Sequence, residues 1–194
     1  MQTYTKTIEK PRLVIEYDAD GMSPRDWDNL GYFVTVERNY MSPDEHEQLR
    51  DIIESTQYDV SNSDEHADAI KKEFEENSDE KILLIVPVYR YEHGNVIYRR
   101  GTSSGWDSSN CGFYIVTQKS ADVLGTPPEL FEKVIDGELE EYTKYANGEI
   151  YAFTLYDEHG EHEGSCAGFY ELEDIREHLP EEFKNEDLQD YLKV

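Results

Sequence analysis

Lys81-Ile-Leu-Leu-Ile-Val-Pro-Val-Tyr-Arg-Tyr91 runs through Glu92-His-Gly-Asn95 into Val96-Ile-Tyr-Arg-Arg100. The first stretch is apolar and β-branched, so Ile82–Val88 reads as a strand buried on both faces. Pro87 has no backbone donor, and a bulge or a sheet edge is expected there. The four polar residues that follow form a turn into a partner strand. Two strands joined this tightly must be antiparallel.

Working outward, Gly112–Thr117 is a further strand, and so are Arg12–Tyr17 and Gly31–Glu37. Glu149–Tyr156 and His162–Tyr170 form a hairpin across Asp157-Glu-His-Gly160. Ser42-Pro43-Asp44-Glu45 has the form of a capping box, which predicts a helix carrying Leu49, Ile52 and Ile53 on one stripe. Ser63–Glu76 predicts a second, surface helix with Ala67, Ile70 and Phe74 inward. Thr126-Pro-Pro-Glu129 repeats the capping signature. The helix after it, 127–146, places Phe131, Ile135, Leu139 and Tyr142 on one face and ends at Asn147-Gly148. Glu171–Val194 reads as helical, broken at Pro180. Strands paired by turns and set apart from the helices predict an α+β fold. The sheet should be antiparallel or mixed, with about six or seven strands and helices on one face. Residues 1–180 read as one domain, and 181–194 as a C-terminal helical tail.

The chain has 194 residues, 44 acidic and 18 basic, for a formal charge of −26. Phosphates are repelled by such a surface, which excludes direct grip on nucleic acid or an anionic membrane. The acidity has three readings: solubility, adaptation to high salt, and mimicry of a polyanion. Glu outnumbers Asp by 27 to 17 and ten Lys remain beside eight Arg, a bias against the salt reading. Met1-Gln-Thr-Tyr-Thr-Lys6 lacks the pattern of a leader, and no apolar run is long enough to span a bilayer. Cys111 and Cys166 are too few for a disulfide framework. They are expected to be unpaired, in the cytoplasm of a host cell.

The chain also echoes itself. Trp27-Asp28-Asn-Leu-Gly31-Tyr-Phe-Val-Thr35 resembles Trp106-Asp107-Ser-Ser-Asn-Cys-Gly112-Phe-Tyr-Ile-Val-Thr117. Each Asp is expected to accept hydrogen bonds from its own loop's amides while the Trp packs over the strand start. The sharper alternative is one pocket walled by Trp27 and Trp106, with Asp28 and Asp107 inside it.

Few constellations carry chemistry. Gly164-Ser-Cys166-Ala-Gly168 has the spacing of a nucleophile elbow, but it follows Glu161-His-Glu163, a poor buried strand. Small residues in a crowded hairpin explain it better. His159, His162 and their neighbouring glutamates lie on a turn without the helical spacing of a metal site, so no metal and no cofactor is expected. His93 has no sequence tie to Cys166. Gly101-Thr-Ser-Ser-Gly105 follows Arg99-Arg100 and could cradle an anion on backbone amides. Tyr98–Asn110 is the least acidic stretch, and Arg99, Arg100, Trp106 and Asp107 are its candidate ligand residues.

Several segments resemble a family of uncharacterised accessory proteins of tailed phages, prophages and plasmids. They are Trp27–Gly31, Trp106-Asp107-Ser108 with Gly112–Thr117, Tyr145–Tyr151, and Ser165-Cys166-x-Gly168-Phe-Tyr170. The relatives carry Pro and Gly where Gly105 and Ser109 stand here. The resemblance implies a mobile-element setting and assigns no catalytic residue. With the charge, it leads to a non-enzymatic protein that binds and blocks a basic host factor, such as a nuclease, as a DNA mimic. The carboxylates expected to serve are Glu132, Asp136, Glu140, Glu173, Glu177, Glu181 and Glu182. The alternatives are a nucleotide or other small-ligand binder, or a hydrolase, using the 98–112 loop, and a virion-associated structural or regulatory protein.

Overall fold

Ile82–Val88 is a strand, but it is not buried on both faces: Ile82 and Val88 are buried, Leu83 is exposed and the residues between are half-buried. One strand pairs along it on one side, while its hairpin partner joins the other side only from Val88 onward. The computed structural model describes residues 12–57 and 62–193; the segment Met1–Lys6 lies outside them. The chain divides into two compact units, where the sequence reads as a single domain over 1–180. An inserted unit spans Ser23–Thr143, and a terminal unit is built from the flanking segments up to Met22 and from Lys144 onward. The strands accordingly form two four-stranded sheets, not one of six or seven.

In the inserted unit the elements are β2 (Tyr32–Thr35), α1 (Glu47–Thr56), α2 (Ser63–Glu76), β3 (Ile82–His93), β4 (Asn95–Arg100), β5 (Ser108–Thr117), α3 (Gln118–Leu124) and α4 (Phe131–Ala146). The sheet order is β2-β5-β3-β4, all antiparallel. Pro87 is tolerated because its carbonyl faces the β4 side just beyond the last ladder pair, accepting from the Gly101 amide at 2.8 Å. Its missing donor therefore breaks no ladder bond. The bulge comes one residue later, between Val88 and Tyr89.

Helices cover both faces of this sheet, not one. Phe131, Ile135 and Leu139 of α4 pack with Phe33, Val88, Tyr98 and Tyr114. On the opposite face Leu49, Ile52 and Ile53 of α1 and Ala67, Ile70 and Phe74 of α2 pack with Val34, Phe113 and Ile115. Each strand alternates its side chains between two apolar layers, so β2 and β5 read as nearly continuous apolar runs. Burying each large side chain contributes roughly 1.5–3 kcal/mol.

In the terminal unit β1 (Arg12–Tyr17), β6 (Tyr151–Tyr156), β7 (His162–Phe169) and β8 (Leu192–Lys193) form a mixed sheet of order β7-β6-β1-β8. The predicted hairpin is β6–β7. Its turn is fixed by Asp157 Oδ1, which accepts from the His159 and Glu161 amides at 2.8 and 2.9 Å. The segment 181–194 is not a helical tail. It forms short 3-10 turns and the strand β8, and Phe183 and Leu188 are buried with Leu13, Ile15, Phe153 and Ile175. Arg176 draws the chain back after Pro180 by donating to the Lys184 and Glu186 carbonyls at 2.7 and 3.0 Å. No helix among the described residues is long and apolar enough to cross a membrane. Both cysteines are free, Cys111 buried and Cys166 exposed on β7.

Candidate functional site

The most tightly built polar feature is one the sequence reading missed. Arg25 is buried in the inserted unit and satisfied on every side. Its guanidinium donates to Asp44 (2.6 Å), Glu138 (2.7 Å), the Gly31 carbonyl (2.7 Å) and Asn29 (3.0 Å). The Tyr114 hydroxyl makes a short hydrogen bond to Glu138 and accepts from the Gly31 amide at 2.9 Å. Burial works against the charge on Arg25, but the hydrogen bond and attraction of Asp44, helped by Glu138, hold its pKa above the ordinary value. Burial likewise pushes the Tyr114 hydroxyl up. This network ties the 23–31 loop to β5 and α4, with no unfilled valence aimed at a ligand, and we read it as architecture.

Asp44 also explains why the predicted helix start fails. Its carboxylate is taken by Arg25, while Ser42 accepts from the Thr35 amide at 3.0 Å and donates to the Asp44 carbonyl at 2.7 Å. The helix begins later, with His46 as cap accepting from the Leu49 amide at 3.3 Å.

The two Trp-Asp loops do not converge. β2 and β5 pair antiparallel, with Tyr32 opposite Ile115 and Thr35 opposite Gly112. The starts of the two strands, and the loops before them, therefore lie at opposite ends of the pair. Trp27 and Asp28 flank a shallow open cleft of about 190 Å³ with Tyr32, Lys119 and Val123. Trp106 is fully exposed, and Asp107 faces His93 at 3.5 Å. Neither carboxylate caps its loop. The asparagines do that work: Asn29 donates to the Pro24 and Trp27 carbonyls at 3.1 and 2.7 Å, and Asn110 accepts from the Ser103 amide at 2.7 Å.

The echo has a different cause, a local two-fold relation between β2 and β5. Tyr32 and Phe113 occupy equivalent places on one face, Phe33 and Tyr114 on the other. The repeated glycines stand where the backbones nearly touch. A Cβ on Gly31 would lie 2.3 Å from the Ile115 carbonyl oxygen, and one on Gly112 would lie 2.1 Å from that of Val34.

The two adjacent arginines part company. Arg100 turns to α4, reaching Asp136 at 2.7 Å and Glu132 at 3.2 Å. Arg90 is on the same face and pairs with Glu37 at 3.1 Å, beneath the Tyr40 ring. Arg99 points to the opposite face, where it lines an open groove of about 260 Å³ with Tyr89, Tyr91, Ile97, Ser104 and Ser108. Trp106 and Asp107 are outside that lining, so the candidate ligand residues are divided among separate places. Of the seven carboxylates singled out, Glu132 and Asp136 are held by Arg100, Glu173 by Arg176 and Glu181 by Lys184. Glu140 is also engaged, and Glu177 and Glu182 are exposed. The seven are split between the two units. No group of three or more metal-binding side chains occurs among the described residues. Comparison of the chain with protein-family models, with curated proteins and with solved structures finds no match.

Proposed function

We propose that this is a non-enzymatic interaction protein that binds a basic, nucleic-acid-handling partner and occupies the surface where that partner would hold DNA or RNA. The observation that carries the reading is the solvent side of the α1–α2 layer. These two helices hold nine carboxylates against three basic side chains, and all nine carboxylates are exposed. One of the three bases, Arg50, is already paired with Glu54 at 3.2 Å. Along α1, Glu47, Asp51 and Glu54 repeat about every 5–6 Å on one stripe. The C-terminal segment 171–193 carries the same nine carboxylates to three bases, but Glu171, Glu173 and Glu181 there are held by Lys144, Arg176 and Lys184, and on α4 Arg100 holds Glu132 and Asp136, so the mimicry is assigned to α1–α2. The mobile-element setting, and a defence nuclease as the partner, belong to the same proposal.

Affinity capture from a host extract, with mass spectrometry, would supply the partner. Its binding should weaken steeply as salt shortens the reach of the field from about 10 Å at 0.1 M to about 3 Å at 1 M. One Glu→Gln change on α1 or α2 should do little. Reversing Glu47, Asp51, Glu65 and Asp68 together to Lys should abolish binding and release the partner to nucleic acid. A partner held equally well at both salt concentrations, or equally by the charge-reversed variant, overturns the proposal.

A further inference from the structure

We propose a second site, independent of the acidic layer: the groove on the β3–β4 hairpin binds one small aromatic anion of the nucleoside monophosphate class. The register makes the site. Tyr89 lies opposite Arg99 and Tyr91 opposite Ile97, so these four side chains share one face of the hairpin. It is the face that α1 and α2 cover further along the sheet, over β2, β5 and the start of β3. Tyr91, Arg99 and Ser104 remain exposed there, with Tyr89 and Ile97 half-buried.

Three features define the ligand. Tyrosines two residues apart on one strand form an aromatic platform, and flat rings stack on such platforms whatever their identity. Arg99 is the hairpin's only arginine without a carboxylate partner among the described residues, because Glu37 takes Arg90 and Asp136 takes Arg100. Other described cations also stand apart from carboxylates, but Arg99 is the one that lines a groove with two tyrosines, and there it offers a seat for an anion. Ser104 brings a hydroxyl to the same groove, suited to donating to the ligand's oxygens, while the Ser108 hydroxyl donates to the Gly105 carbonyl at 3.4 Å. Size sets the limit. The groove's volume of about 260 Å³ falls below the roughly 300–1,000 Å³ of most small-molecule sites, so it suits a single mononucleotide and not a dinucleotide cofactor. A polynucleotide is excluded, since one cation cannot offset a row of phosphates over a surface of this charge.

The test is titration of the full chain with each of the four ribonucleoside monophosphates, with adenosine and with inorganic phosphate, followed by calorimetry and backbone amide shifts. At least one monophosphate should bind saturably and move the amides of Tyr89, Tyr91, Ile97 and Arg99. Arg99→Gln should weaken it roughly ten- to hundredfold, toward the nucleoside's own affinity. Tyr91→Ala should weaken nucleotide and nucleoside alike. Both residues are exposed, and an unchanged circular dichroism spectrum would show each variant folded. No saturable binding at millimolar concentration overturns the site. So does binding that ignores both substitutions or moves amides elsewhere. The charge-reversed α1–α2 variant should bind nucleotide as the parent does, which separates this result from the fate of the interaction proposal.

Discussion

Arg25 is a buried cation whose acceptors come from residues 29, 31, 44 and 138. Arg25→Met would leave Asp44 and Glu138 facing each other without the charge that holds them. Loss of one partner from such a group costs about 3–5 kcal/mol, and urea denaturation at neutral pH should show a loss of that size. The variant that also carries Glu138→Gln should recover part of it. The same residue shows why some of the local reading failed. Ser42-Pro43-Asp44-Glu45 has every feature of a helix start, but Asp44 is worth more to a buried guanidinium 19 positions earlier than to a helix amide. The Trp-Asp echo was visible in the sequence, with a glycine in each copy. That the glycines mark a close backbone approach, and that asparagine rather than aspartate ties the loops, depended on strand register, which no single segment encodes.

At the scale of elements, α2 was legible to the residue because its signals are local. Asn62 caps it by accepting from the Asp64 and Glu65 amides, both at 3.0 Å, and its apolar stripe repeats at helical spacing. α3 was missed, since its capping box joins Thr117 and Ser120 at the very end of a strand that reads as apolar. The groove was missed because Tyr89 and Tyr91 read as the continuation of a buried strand, and only the extent of α1–α2 decides how much of β3 is covered. The junction of those helices is sensitive to pH. His66 Nε2 lies 3.1 Å from both the Ile53 carbonyl and Thr56 Oγ1, and its ring stands edge-on to Phe113. Ile53 is in the last turn of α1, so the His66 contact fastens α2 to the end of that helix. Burial lowers the His66 pKa below its ordinary value, outweighing the hydrogen bond to Ile53. The unfolded chain therefore takes up this proton more readily than the folded one. The contribution of His66 is present above its ordinary pKa and is lost as pH falls through it. Amide protection factors in α1 and α2 should fall between about pH 7.5 and about pH 5, and His66→Gln should flatten that dependence. Protection that rises on acidification would show that relief of carboxylate repulsion dominates there.

For the whole molecule, a formal charge of −26 opposes compaction. Salt should therefore stabilise the protein as the screening length falls from about 30 Å at 0.01 M to about 8 Å at 0.15 M. A rise in Tm of several degrees is expected, each 1 kcal/mol being worth about 2–4 °C in a chain of this size. A falling Tm would mean that surface pairs such as Arg100–Asp136 outweigh the net charge. The division into units has a consequence for how the protein is made. β1 leaves the ribosome before its antiparallel partner β6, which follows the whole inserted unit in sequence. At a synthesis rate of about 5–20 residues per second, β1 waits roughly 7–27 s for β6. The inserted unit has its full sequence by then and folds in the interval. β1 passes that time as an unpaired strand of only six residues, with the charges of Arg12 and Glu16 to discourage wrong pairing. β1 is thus placed long after it is made, and the terminal unit closes only once β6 and the segments after it have emerged.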